Sequence, residues 1–261
     1  MKLAGGLAGK GVVVTRPSAQ AAGLAGAIEH AGGKALVFPA IEIRDIEDPG
    51  PLYAILDRLE TFDVAVFISP NAVQRAFGLV RARRASGWPV NLRIAAIGRG
   101  SRRELERHGI NRVLAPSPHA DSEALLALPE LEALTGRRVI IFRGEGGREL
   151  LGEAFAARGA KVEYAECYRR TRPQTDCAPL LAAWARNAVD AVTVSSGEGL
   201  ANFFDMIGES GQRWLKRTPL FVPHERVAGA AVGLGAETVQ VAGPGDAEVV
   251  AALVAYFRDA K

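Results

Sequence analysis

The sequence predicts two similar α/β domains, each an open, mostly parallel sheet with helices on both faces, joined by a two-stranded β-ladder hinge. Three features carry this reading: an internal repeat, an alternation of short apolar strands with helices, and two long polar-apolar segments that interrupt the alternation.

The repeat starts when Gly9 is laid over Gly136. GKGVVVTRPSAQ then runs over GRRVIIFRGEGG without a gap, setting Arg16 on Arg143, Leu24 on Leu151 and Gly32 on Gly159. The same offset carries FDVAVFISPNAV, from Phe62, onto VDAVTVSSGEGL, from Val189, with Asp63 on Asp190 and Ser69 on Ser196. After a shift of one residue AAIGRGSRRELERHGINRVLA falls over FVPHERVAGAAVGLGAETVQVA, with Gly109 on Gly235. A match of this length implies two similar domains, and by itself it allows two contiguous halves.

Each half reads strand, helix, strand, strand, helix, strand, helix. VVVT is a short apolar strand, and Ser18 to Ala31 is a helix carrying Ala21, Leu24, Ala25 and Ile28 on one face, stopped by Gly32-Gly33. VAVFIS is a buried strand, followed by a capping Ser69 and by Pro70 at the first helical position. IAAIG, a helix through Arg103 to His108 stopped at Gly109, and RVLAP continue the pattern. LVFPAIEIRD and VEYAECYRRTRP are longer, alternating and partly polar. Such runs suit a two-stranded connector through which the chain leaves one domain and later returns, which would make it a hinge.

In open α/β sheets ligands bind beyond the carboxyl ends of the strands. Here those turns are TRPSAQ, ISPNA, IGRGS, FRGEGGR, VSSGEG and VPHER, rich in hydroxyls, glycine and arginine. In FRGEGGREL, glycines between a strand and a helix would turn backbone N–H groups toward an anion, with Arg143 and Arg148 beside them. The same residues also fit a tight turn with solvated arginines. Ser69 and Ser196 fit helix caps as well as ligand contacts.

A net charge of +3 with arginines spread along the chain favours an anionic small molecule over nucleic acid. The start MKLAGGLAGKGVVVTRP has no sustained apolar core and no later window is long enough to span a bilayer, so a cytoplasmic protein is expected. Cys167 and Cys177 are expected as free thiols, and the four histidines show no metal-binding spacing. The dinucleotide fingerprint fails because Glu149 stands where its last glycine is needed. There is no phosphate loop of the GxxxxGK[ST] type and no GxSxG elbow, so no cofactor is expected.

The stretches VVVTRPSAQAAGLAGAIEHAGG, FISPNAV, AAIGRGS, FRGEGGRELLGEAFAARGAKVEYAECYRRTRP, VSSGEGL and PLFVPHERVAGAAVGLGA resemble the uroporphyrinogen-III synthase family along nearly the whole chain. The run from RGEGGREL to YRR is the most specific. The resemblance implies a lyase of tetrapyrrole biosynthesis that closes hydroxymethylbilane to uroporphyrinogen III, inverting ring D through a spiro intermediate and releasing water. It implies two α/β domains joined by a β-ladder around an active-site cleft: residues 1–36 with 172–261, residues 45–165, and a ladder of 37–44 with 166–171.

It also implies Tyr168, in CYRR, as the proton donor to the departing hydroxyl, against a structural role with the ring packed and the phenol bonded. Substrate contacts would come from Arg16, Ser69, Asn71, Ser101, Arg143, Arg148, Ser195, Ser196, Gly197 and His224, while Tyr164 reads as core. The VPHER turn, with His224 and Arg226, departs from the GRGS form of many relatives. A monomer is expected, with the preceding deaminase as transient partner and no nucleic acid or membrane. The competing reading is a non-catalytic two-domain binder of a polycarboxylate.

Overall fold

A computed structural model describes residues 6–117, 121–147 and 149–259. The chain forms two compact units, Met1–Glu42 with Thr171–Lys261, and Ile43–Arg170. The first unit begins with β1 (Gly11–Val14), α1 (Ser18–His30) and β2 (Lys34–Val37), and the chain then enters the second through β3 (Glu42–Arg44). The second unit follows with α2 (Gly50–Leu56), β4 (Val64–Phe67), α3 (Pro70–Arg83), β5 (Arg93–Ala96), α4 (Arg99–Arg107), β6 (Val113–Leu114) and α5 (Ser122–Leu126). It is completed by β7 (Arg138–Gly144), α6 (Leu150–Ala157) and β8 (Lys161–Thr171). Back in the first unit come α7 (Ala178–Ala185), β9 (Ala191–Thr193), α8 (Gly197–Met206), α9 (Gly208–Arg217), β10 (Leu220–Val222), α10 (Glu225–Gly233), β11 (Val239–Val241) and α11 (Asp246–Asp259).

The repeat does not fold as two contiguous halves. β1 pairs with β9, and β4 with β7, so each unit takes one strand–helix–strand piece from one repeat and the remaining strands from the other. The first sheet has the order β11-β10-β9-β1-β2 and the second β3-β8-β7-β4-β5-β6. Their shared five strands agree residue by residue. Val12 faces Ala191 as Val139 faces Val64, and Leu220 faces Val192 as Ile94 faces Ala65, with all these pairs parallel. The sequence offset of the repeat is therefore a structural register.

A carboxylate at the same repeat position pins each central pair. Asp63 accepts the backbone N–H of Arg138 at 2.8 Å and the Arg137 guanidinium at 2.7 Å. Asp190 accepts Gly11 N–H at 2.8 Å and the Lys10 ammonium at 2.8 Å. A one-residue slip would turn every core side chain to the wrong face, so a fixed pairing point at the strand start matters. Beside the first clamp, Glu163 takes both Arg58 (2.6 and 3.0 Å) and Arg138 (2.8 Å), and these cations, Arg58 foremost, hold its carboxyl down at about 2.

Each sheet is covered on both faces. In the second unit Phe67 and Phe142 stack at 4.7 Å in one core with α2 and α3, while Val139, Ile141, Leu151 and Phe155 fill the other. In the first unit Trp184, Leu200 and Phe203 pack on one face and Leu24, Ile28 and Leu253 on the other. The α1 face buries Ala21, Leu24 and Ile28 as expected, with Ala25 only half-buried, and Gly32 follows at φ 89°.

Three differences from the sequence reading stand out. α4 begins at Arg99 rather than Arg103, because Gly98 supplies the extended cap residue. Helices α2, α5, α7, α9 and α11 are additional. α2 and α7 are short apolar turns opened by proline, and α9 is a mostly polar helix that buries only Gly211 and Leu215. The two alternating segments do adjoin as β3 and β8, but at the edge of the six-stranded sheet rather than free of it, and the chain passes between the units at both. Among the described residues no helix is long and apolar enough to cross a membrane.

Two expected outcomes follow from the clamps. Asp63→Ala should weaken the second unit and Asp190→Ala the first, each by about 2 kcal/mol, the range for hydrogen bonds to charged groups. Urea unfolding read by Trp88 (second unit) and by Trp184 (first) should shift only the matching transition. Because the folded-state pKa of Glu163 is depressed, its contribution is complete above pH 4.5 and disappears as pH falls toward 2. Glu163→Gln should flatten the acid limb of the Trp88 transition in that window and lower its midpoint at pH 7.

Candidate active site

All five shared strands of each sheet are parallel, so the turns leaving their carboxyl ends share one edge of each unit. In the second unit, β4 delivers Ser69 to the N-cap of α3, where its Oγ accepts Ala72 N–H at 3.1 Å. Pro70 fixes the first helical position, so the cap and the proline together aim the hydroxyl. Ser69 Oγ also lies 3.0 Å from the Tyr168 phenol oxygen, which accepts Arg170 Nη2–H at 3.2 Å. Asn71 is half-buried in the same turn.

Tyr168 reaches this position through an irregularity. Arg143 pairs with Glu166, but Gly144 pairs with Tyr168, so β8 carries one extra residue, Cys167. The bulge sends Cys167 and Tyr168 into the same core, and Tyr168 is fully buried (0% exposed). Its ring rests on Gly144, where a Cβ would come within 2.7 and 2.8 Å of two ring carbons. The buried Cys167 thiol donates to Ala165 O, and desolvation pushes it up to about 12. Both cysteines are free.

The glycine-rich turn holds an anion, though one supplied by the chain itself. Glu166 Oε1 accepts Arg143 Nε–H and Nη2–H at 3.2 and 3.0 Å and Gly146 N–H at 3.1 Å. Arg143 is thus neither solvated nor paired with Glu145 or Glu149. It is buried, with its guanidinium 3.9 Å over the Tyr164 ring, and its buried Nη1 has no partner among the described residues. Tyr164 is half-buried and fitted against Gly152, and burial raises its phenol. Arg143, Glu145, Tyr164 and Glu166 line a recess with Glu47 and Asp48. Arg148 lies outside the described residues.

Ser101 belongs to the IGRGS turn but is only 2% exposed within α4, so its hydroxyl faces the interior. In the first unit Arg16 binds Asp246 and the Pro244 carbonyl (3.2 Å), not Asp190. With Ser195, Thr193, Pro223 and Gly243 it lines a recess at the ends of β1, β9 and β10. Ser196 caps α8, accepting Gly199 N–H at 3.0 Å, with Gly197 exposed beside it. His224 occupies the cap position of α10 without capping it, and both it and Arg226 are exposed.

The structure therefore gathers Ser69 with Tyr168, and Arg16 with Ser195, and sets Arg143 across Gly144 from the phenol. Sequence reasoning missed Glu166, Arg170 and Gly144 as members of the site. Glu166 and Arg170 lie in the long, alternating, partly polar segment read as a connector, and the repeat gave no hint, since Pro39 and Ile43 stand at the matching positions.

The family model described as uroporphyrinogen-III synthase HemD matches residues 22–248. The uroporphyrinogen-III synthases of Salmonella typhimurium and Escherichia coli are 36% and 34% identical, each over 90% of this chain and 96% of theirs. A crystal structure of a mutant uroporphyrinogen III synthase from Thermus thermophilus shares the fold with a TM-score of 0.61 at 18% identity, covering 95% of this chain and 98% of that one. The Helicobacter pylori uroporphyrinogen-III synthetase does so with a TM-score of 0.58 at 14% identity, covering 95% and 99%. Matched by the family model across most of its length and by these relatives across nine-tenths of it, the chain belongs to the uroporphyrinogen-III synthase family.

Proposed function

We infer that this chain is a cytoplasmic, cofactor-independent lyase that closes hydroxymethylbilane to uroporphyrinogen III, with loss of water and inversion of ring D. The observation that carries the mechanism is the hydrogen-bonded run Arg170–Tyr168–Ser69 at the carboxyl end of β4. The first chemical step needs a proton at the departing hydroxyl, and Tyr168 is its source. Loss of water leaves an azafulvene, whose electrophilic carbon is attacked by the substituted carbon of ring D to give the spiro intermediate. Fragmentation and reclosure through the other α-carbon reverse that ring, and the proton lost from carbon restores the donor.

The substrate's acetate and propionate carboxylates suit the donors at the same edges: Arg16, Ser195, Ser196, Gly197 and His224 in one unit, Asn71 and Arg143 in the other. Arg143 is oriented by Glu166 through Nε and Nη2. A charge-assisted hydrogen bond contributes about 1.5–3 kcal/mol. Because closure without inversion is spontaneous, holding one folded conformer of a flexible bilane matters more than bond chemistry. The 45–165 and 1–36 with 172–261 division, with the 37–44 and 166–171 strands as a hinge, is part of this proposal.

The test is an isomer assay on desalted, chelator-treated protein. Hydroxymethylbilane is generated enzymatically, and the oxidised products are separated into uroporphyrin I and III. Mostly type III is expected; only type I, at the spontaneous rate and from folded protein, would leave a polycarboxylate binder. Gly144→Ala should cut type III formation at least about 10-fold, because the added methyl displaces the phenol by several tenths of an ångström. Circular dichroism should show the sheet retained.

A further inference from the structure

Resting on that functional reading, we propose that Ser69 is the catalytic residue that touches the departing hydroxyl, and that Tyr168 and Arg170 act through it as a proton relay.

The phenol cannot reach a ligand directly, since Tyr168 is 0% exposed, whereas Ser69 is half-buried and Arg170 exposed. Arginine only donates, so the phenol oxygen accepts from Arg170; either oxygen of the Tyr168–Ser69 pair, 3.0 Å apart, can be the donor, and the relay places that hydrogen on the phenol. Ser69 Oγ already accepts Ala72 N–H, which fixes the oxygen. With two acceptor positions filled, its own hydrogen is directed away from both partners.

The first unit provides an internal control. There the matching cap, Ser196, keeps its bond to Gly199 N–H, yet Ile41 stands at the position of Tyr168 and Pro17 at that of Gly144. Ile41 packs 3.5 Å from where a Gly199 Cβ would lie, so an apolar chain fills the space beside that cap. The serine cap is thus common to both units, while the phenol, the glycine that seats it and the arginine occur together in the second only. Capping needs the serine alone; the other three serve something else.

The proton balance is complete. Ser69 Oγ–H passes its proton to the hydroxyl as the C–O bond breaks, releasing water. Tyr168 O–H reprotonates Ser69, and the resulting phenolate keeps the Arg170 hydrogen bond. When ring D recloses, the proton lost from its α-carbon returns through Ser69 to the phenolate.

The test is steady-state kinetics of type III formation for Ser69→Ala, Ser69→Asn, Ser69→Thr, Tyr168→Phe and the Ser69→Ala/Tyr168→Phe double variant, with unfolding midpoints measured alongside. Asparagine caps helices but carries no hydroxyl, and threonine does both. The relay requires kcat to fall about 100-fold, the low end for general acid catalysis, in the alanine, asparagine and phenylalanine variants, with KM little changed. Threonine should stay within about 3-fold of wild type, and the double variant should be no slower than either single one, because residues acting as one unit are not additive. Near-wild-type kcat in Ser69→Asn, or a double variant whose loss is the product of the two, would overturn the relay while type III formation by wild type kept the functional reading intact. Only type I from wild type would instead remove that reading, and the relay with it.

Discussion

The two central strand pairs join segments far apart in the chain, and the aspartate at the start of β4 and of β9 decides how they meet. Asp63 and Asp190 each take a backbone N–H of the neighbouring strand and a basic side chain one residue before it, in the same geometry. For Asp63 the Arg138 N–H is the main reason the carboxyl sits below its ordinary range. With the amino end of the pair fixed and the strands only a few residues long, the carboxyl ends are fixed too. The heights of Ser69 and Ser196 above their sheets are therefore inherited from a clamp at the opposite edge, because Ser69 follows Asp63 by the interval at which Ser196 follows Asp190.

On that shared frame the units diverge through a few substitutions at matched positions. A glycine in place of Pro17 opens room over β7, a bulge in β8 turns a tyrosine into it, and Glu166 in place of Pro39 supplies a carboxylate to the turn. These changes depend on one another. The ring of Tyr168 requires Gly144, and the bulge that admits the ring falls between Arg143 and Gly144, next to the pair formed by Arg143 and Glu166. A duplicated fold tolerates such a set in one copy because the five-stranded register does not pass through it.

Strand and helix order was legible because short β-branched runs, glycine stops and a serine–proline cap each have a local physical cause, and the repeat tested every assignment twice. The swap of strands between units was not, since a repeat fixes what resembles what and leaves open what pairs with what. In the site, Ser69 and Tyr168 were legible singly, and their bond was not, because 99 residues separate them and a bulge decides which way the phenol points. Glu166 was hidden for a related reason: a charged residue in an alternating strand reads as solvent-facing, and only the folded turn turns it inward. Ser101 shows the reverse case, a turn hydroxyl that the first coil of α4 carries into the interior.

The arginines bear on how a polyanion can be held without being trapped. Arg16 and Arg143 are mostly buried and already neutralised by Asp246 and Glu166. A carboxylate arriving at either meets a pre-aligned guanidinium whose charge is largely spent, so it gains hydrogen-bond geometry more than net Coulomb attraction. Pre-alignment lowers the ordering cost of each contact, while the internal carboxylate limits its strength. For a reaction in which a flexible chain must be set in one conformer and a product bearing the same carboxylates must then leave, many weak and directional contacts discriminate conformers better than a few strong ones. Tight uniform binding would hold substrate and product alike without favouring the transition state. The side chains that compete with the ligand are thus as much a part of such a site as those that would hold it.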